Sequence, residues 1–334
     1  MISVGIIGGS GYTGKHIINF CNNHPSISDL KIYANKSAGK TLYEIFPDFY
    51  KNVQDSKIEN ISNLSLTHDV YFFALPHGES LKYIPKLLEQ NKKIIDLGAD
   101  FRLDNEIAFE KTYKLKHPVP ELLKSKIYGL AEITKNYSQA NLIANPGCYP
   151  TAALLSTIPL VKNIPDKIES IATVSYSGLS GAGKKADTSL LFAENYNSVK
   201  AYNVGTHRHE VEIAQELNKY KENTNYSLTT HLLPVFSGIY STTIIQLNKS
   251  TTQKEVDDIF QSEYLNSIFV RIRKTPPELK WVIGTNYYDT NITALDNKII
   301  VTACIDNLIK GASGQAVQNM NKLFGWKENL GIQN

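Results

Sequence analysis

The chain has 334 residues, of which 42% are hydrophobic and 20% charged, a balance that excludes wholesale disorder and a length that exceeds one comfortable core. Its 35 Lys and Arg against 32 Asp and Glu leave a formal charge of +3 with no dense basic block, too weak a balance to argue for nucleic acid as a partner, while small anions need only local charge. No stretch approaches the ~18 apolar residues of a membrane span.

In chain order, Met1 leads directly into an apolar run at residues 2–7 with no charged leader, so a cytoplasmic location is expected. That run ends in glycines, the pattern of a buried parallel strand, and helical spacing follows at 15–23. Further strands are expected at 30–34, at 70–75 (stopped by Pro76) and at 93–97, with a helix at 79–90. Strands alternating with helices point to a doubly wound α/β sheet. Beyond Asn145-Pro146-Gly147 the character changes. Segments 171–177, 228–235, 239–247, 267–273, 280–289 and 297–304 are rich in Tyr, Thr, Ile and Val, which fits an α+β domain with a mixed, largely antiparallel sheet. A helix is expected at 314–324. The main boundary is drawn near 146, and the C-terminal helix, about 314–334, is expected to return to the first domain. The domains are then 1–146 with that helix, and 147–313.

Gly8-Gly9-Ser10-Gly11-Tyr12-Thr13-Gly14 lies between the first strand and the first helix. Glycines there permit a tight turn and a close approach of backbone to pyrophosphate, beside the free N–H groups of a helix start. A purely structural turn is the alternative. After the second strand comes Ala34-Asn35-Lys36-Ser37-Ala38-Gly39-Lys40, with no acid for a ribose hydroxyl and with Lys36, Ser37 and Lys40 suited to a 2′-phosphate. NADP is therefore expected over NAD, and the first domain reads as Rossmann-type and NADP-binding.

Cys21, Cys148 and Cys304 are an odd set without a CxxC pair, which argues against a disulfide framework or zinc site and for a reducing compartment. Cys21 and Cys304 sit in or beside apolar runs and read as small hydrophobes. Cys148, in Asn145-Pro146-Gly147-Cys148-Tyr149-Pro150-Thr151, stands where a strand meets a helix start, and the helix dipole there favours thiolate. A thiolate nucleophile needs a proton partner, and His207-Arg208-His209 followed by Glu212 is the densest source. A wet surface helix is the competing reading, and no third ligand stands at metal spacing. Residues 175–185 form a second glycine-rich loop whose Lys184 and Lys185 suit a phosphate-bearing ligand or, equally, plain solvent.

Together these motifs resemble N-acetyl-γ-glutamyl-phosphate reductase, of the aspartate-semialdehyde dehydrogenase-like group. The likeness runs from Gly8–Gly14 through 73–78, 96–103, 128–132, 145–151, 177–185 and 207–212 to 306–316, covering essentially the whole chain. It implies that Cys148 attacks an N-acyl-γ-glutamyl phosphate, expels phosphate and forms a thioester that NADPH reduces to the semialdehyde. It further implies His209 as acid/base, with His207, Arg208, Glu212 and Lys184 around the substrate. Gly8, Ser10, Gly11, Tyr12, Thr13, Gly14, Ser37, Pro76, Gly178, Gly181, Ala182 and Asn307 would lie along the cofactor. The domain 147–313 would be catalytic and dimerising, in a homodimer or homotetramer. Two positions depart from the pattern: Ser237 where Arg is often found, and Ala131 where proline is. Rival readings are the same chemistry on an N-succinyl or carrier-linked homologue or on aspartyl phosphate, and a non-catalytic NADP-binding sensor.

Overall fold

A computed structural model describes residues 1–332 except 139, 185 and 186, so Lys185 and the last positions of the expected C-terminal helix lie outside the described residues. The chain forms β1 (Ile2–Ile7), α1 (Tyr12–Asn22), β2 (Ile27–Ala34), α2 (Leu42–Ile45), β3 (Glu59–Asn60), β4 (Val70–Phe73), α3 (Ile84–Glu89), β5 (Lys93–Asp96), α4 (Glu106–Tyr113), β6 (Ile127–Tyr128) and β7 (Leu142–Ala144). It continues through α5 (Cys148–Asn163), β8 (Ile168–Gly178), α6 (Phe192–Asn195), β9 (Lys200–Tyr202), α7 (Arg208–Asn218), β10 (Tyr226–Leu233) and β11 (Ile239–Leu247). Last come α8 (Gln253–Tyr264), β12 (Val270–Ile272), β13 (Tyr288–Leu295), β14 (Lys298–Ile305) and α9 (Gly314–Leu323). Two compact units result: Met1–Pro146 together with the segment from Ala312, and Gly147–Gly311. Among the described residues no helix is long and apolar enough to cross a membrane.

The first unit holds a wholly parallel sheet in the order β3-β2-β1-β4-β5-β7-β6. Strands β4 and β7 are buried throughout, as the unbroken apolar run of β4 requires. Ile7, Tyr33, Phe73, Phe101 and Phe109 belong to one core cluster, each contributing about 1.5–3 kcal/mol by burial. From β1 the chain runs outward to β2 and β3, then crosses back to β4. The order thus reverses at β1, and its carboxyl end opens on the crevice where such sheets bind ligands. The helix expected over 79–90 is split. A 3-10 turn at Ser80–Lys82 precedes α3, because Pro85 has no N–H to extend a helix and is suited instead to a first turn.

The second unit holds a mixed sheet, β12-β13-β14-β11-β8-β10-β9, in which only β10–β8 and β12–β13 pair parallel. Helix α5 packs on β11, β14, α7 and α8. The opposite face presents Val174, Tyr176, Tyr240, Thr242, Ile244 and Thr302, all partly or fully exposed. The strand expected at 280–289 is not there. A 3-10 turn occupies Leu279–Trp281, Gly284 takes a left-handed φ of 80°, and β13 begins only at Tyr288. The apolar cluster Trp281-Val282-Ile283 mimicked a strand, yet only Val282 of the three is buried.

Candidate active site

The nucleophile's place is set by the chain before it. Gly147 caps α5 with extended backbone (φ −68°, ψ 160°), so Cys148 is the first residue of a helix whose opening N–H groups have no side-chain cap. Negative charge on the sulfur is favoured at such a position. Gly147 is held at both ends of its peptide. Its N–H donates to Glu212 Oε1 at 3.0 Å, and its carbonyl accepts from the Thr151 N–H and hydroxyl at 2.9 and 3.0 Å. Gly311 closes the far side, since a Cβ there would stand 2.8 Å from Cys148 Cβ.

Helix α7 brings the histidines. His207 is its N-cap, its Nδ1 accepting the His209 N–H at 3.2 Å. Burial, with Arg208 beside it, pushes the His207 pKa down to about 4, so this ring is neutral at ordinary pH. His209 lies in the first turn, its ring centroid 4.9 Å from that of His207. Both rings meet Tyr149, the residue after the nucleophile, edge-on at 5.2 and 5.9 Å. Tyr149 in turn shares a 2.7 Å hydroxyl–hydroxyl hydrogen bond with Tyr202, whose ring packs on His207 at 5.6 Å. Burial raises both phenols, Tyr202 to about 12, so they remain protonated. The Glu212–Gly147 bond and the Tyr149 ring thereby tie the first turns of α5 and α7 together. The two chain neighbours of Cys148, Gly147 and Tyr149, thus meet Glu212 and the rings of His207 and His209.

The other residues singled out in this unit lie elsewhere or do different work. Arg208 and Lys184 are exposed. Gly178, Gly181 and Ala182 begin the loop after β8, which is pinned by N–H bonds from Gly178, Leu179 and Ser180 to the carbonyls of Gly238, Val235 and Phe236. Asn307 is buried, and its amide splints that loop: Oδ1 accepts from the Gly238 N–H at 2.6 Å, and Nδ2 donates to Ser180 Oγ at 3.1 Å. Ser237 also turns inward, its hydroxyl 3.3 Å from Asp306 Oδ2. Among the described residues no group of three or more His, Cys, Asp and Glu is placed to ligate a metal. Sequence reasoning missed the parts played by Tyr149, Tyr202 and Asp306; only Tyr149, beside the cysteine, carried a signal.

In the first unit the glycine turn fits a dinucleotide. Gly8 has φ 85°, and a Cβ there would fall 2.3 Å from the Ala74 carbonyl, so only glycine allows the turn. Gly11 caps α1 without a side chain, and a Cβ on it would meet nothing nearer than 3.5 Å. A pyrophosphate can therefore approach the backbone and helix start. Ser10, Tyr12 and Thr13 line this turn half-buried, and exposed Pro76 follows β4 beside it. Past β2, Lys36 and Lys40 are exposed and Ser37 is half-buried.

Comparisons with known proteins cover both units. Residues 3–140 match the semialdehyde dehydrogenase NAD binding domain, and residues 148–307 the semialdehyde dehydrogenase dimerisation domain. The N-acetyl-gamma-glutamyl-phosphate reductase of Clostridium novyi is 38% identical, over 99% of this chain and 98% of its own. That of Acetivibrio thermocellus is 40% identical, over 100% and 99%. Among solved structures, aspartate semialdehyde dehydrogenase II of Vibrio cholerae superimposes with a TM-score of 0.76 over 97% of this chain and 98% of its own. At 18% identity, that likeness is one of fold.

Proposed function

Because the chain belongs to the N-acetyl-gamma-glutamyl-phosphate reductase family of semialdehyde dehydrogenases, we propose that it makes N-acetylglutamate 5-semialdehyde and phosphate from N-acetyl-γ-glutamyl phosphate, a step of arginine biosynthesis. The observation that carries this reading is that Gly147 and Tyr149, on either side of Cys148 at one helix start, meet Glu212 and His209 of the helix that begins at Arg208. Cys148 sulfur attacks the acyl carbon, a C–S bond forms, the C–O bond to phosphate breaks, and a thioester remains. NADPH supplies the hydride that converts the thioester to aldehyde and frees the thiolate. His209 takes the thiol proton before attack and returns a proton to the reacting oxygen or sulfur; His207, neutral and committed to the cap, keeps its neighbour oriented. Exposed Arg208 and Lys184 suit the carboxylate and phosphate of the substrate.

The glycine turn would hold the pyrophosphate, and Lys36, Ser37 and Lys40 the 2′-phosphate that distinguishes NADP. The matched dimerisation domain supports a homodimer, in which a second copy covers the open face around Tyr176, Tyr240 and Ile244. A cytoplasmic setting suits a reaction that needs its cysteine as a free thiol.

The test is NADP reduction in phosphate buffer with N-acetylglutamate semialdehyde, its N-succinyl analogue and aspartate semialdehyde at equal concentration. Preference for the first is expected, and preference for aspartate semialdehyde overturns the assignment. Cys148→Ala should abolish turnover; a variant that keeps it sinks the thioester.

A further inference from the structure

The first unit holds a set of buried carboxyl groups that this reaction leaves unused. Asp96, Asp100 and Ser80 have no exposed surface. The Ser80 hydroxyl donates to Asp100 Oδ2 at 2.6 Å and stands 3.4 Å from Asp96 Oδ2. Asp96 Oδ1 accepts from the Gly98 N–H at 2.9 Å, while Asp100 Oδ1 accepts from the Gly78 N–H at 2.6 Å. Arg102, which acts electrostatically on Asp96, donates to the carbonyls of Asn145 and Leu97. Keeping a buried carboxyl ionised costs several kcal/mol unless hydrogen bonds and a cation offset it. A neutral amide would tie down a loop with less penalty, so the charge calls for a reason.

The bond from Gly78 indicates one. Gly78 has φ 84°, a left-handed conformation that ends the segment 74–78. That segment is fixed at its start as well: the Ala74 N–H donates to the Ile7 carbonyl at 2.8 Å, and the Ala74 carbonyl lies against Gly8. Between these anchors Pro76 and His77 are exposed beside the glycine turn. The segment follows β4, on the opposite side of β1 from β2. A dinucleotide crossing the switch point lays its adenosine toward the end of β2 and its nicotinamide half toward β4.

We propose that Asp100 is a positioning residue for the nicotinamide half of the cofactor, acting through the Gly78 N–H on the exposed segment at Pro76 and His77. This rests on the glycine turn being the cofactor site. Ser80 orients Asp100, and Asp96 with Arg102 completes the buried set. The charge-assisted bond keeps the segment at one height, so the nicotinamide half meets a preformed wall.

Two ligands separate this from a general structural role: NADPH, and adenosine 2′,5′-bisphosphate, which carries only the adenosine half. Both are titrated by fluorescence or calorimetry into the full-length chain and into Asp100→Ala. NADPH should bind the variant about tenfold more weakly, the scale of one charge-assisted hydrogen bond, with adenosine 2′,5′-bisphosphate unchanged. Asp100→Asn, which keeps an acceptor for Gly78 but not the charge, should recover only part of the loss. Equal weakening of both ligands, or NADPH affinity at the wild-type level in a folded variant, overturns the proposal. If Asp100→Ala does not fold, Ser80→Ala takes its place, with a smaller selective loss expected and none overturning it. A wild-type chain that binds neither ligand sinks the cofactor reading itself, a result distinct from a failure of Asp100 alone.

Discussion

Glu212 is wholly buried, and one of its carboxylate oxygens accepts the N–H of the residue before the nucleophile. It belongs to the peptide that aims Cys148. Misplacing a reacting atom by about 1 Å costs up to ~10²-fold in rate. Glu212→Ala should therefore lower kcat by roughly that factor while leaving the KM for NADPH in place, with Glu212→Gln intermediate because its amide oxygen still accepts; steady-state kinetics decide. His207 makes a different prediction. Its pKa falls from 6.5 to about 4 on folding, so within that window the unfolded chain holds more protons than the folded one. Stability from this residue is full above 6.5 and is lost as the pH falls toward 4. His207→Asn keeps a cap acceptor but cannot titrate, so its urea-unfolding free energy should fall less steeply across that window.

At the scale of elements, the parallel sheet and its glycine turn were legible because periodicity and turn chemistry agree there. Residues 2–7, 70–75 and 93–97 are short apolar runs bounded by glycine or proline, and each became a strand. The cysteine's helix start was readable from Pro146-Gly147 for the same reason. What stayed hidden depends on contacts far apart in the chain. Nothing in residues 200–202 announces that Tyr202 will meet Tyr149, because β9 owes its position to pairing with β10. The 280–289 segment misled because its apolar residues serve a turn. That turn is held by Asp306, whose carboxylate accepts the N–H groups of Gly284, Leu308 and Ile309 and the Ser237 hydroxyl. Ser237 thus has a partner of its own, which puts the departure from the expected Arg in structural terms. Asp306→Ala leaves four donors without this acceptor and should destabilise the second unit by roughly 3 kcal/mol or more, read from the urea midpoint.

For the molecule as a whole, Asp96 in one unit and His207 in the other should respond to acid in opposite senses. Asp96 is raised from 3.8 to about 7, first by burial and then by Asp100, against the Gly98 N–H, Arg102 and Ser80. Its folded form holds more protons than the unfolded chain between those values, so its contribution to stability rises as pH falls from 7 to 4. His207, in the other unit, runs the other way. Trp326 reports on the first unit and Trp281 on the second, so variants with one tryptophan follow each separately. Asp96→Asn should remove that rise from the pH dependence seen by Trp326 and leave the one seen by Trp281 unchanged. The division of the chain bears also on its synthesis. The first unit needs α9, which packs on α1 and β5 and whose Asn319 bonds the Gly129 carbonyl, the Asn145 side chain and the Tyr137 hydroxyl. Residues 147–311 are continuous and leave the ribosome before α9 does. The first unit must then wait for α9, and the nascent nucleotide unit carries an uncovered part of its sheet until residues 314–323 have emerged.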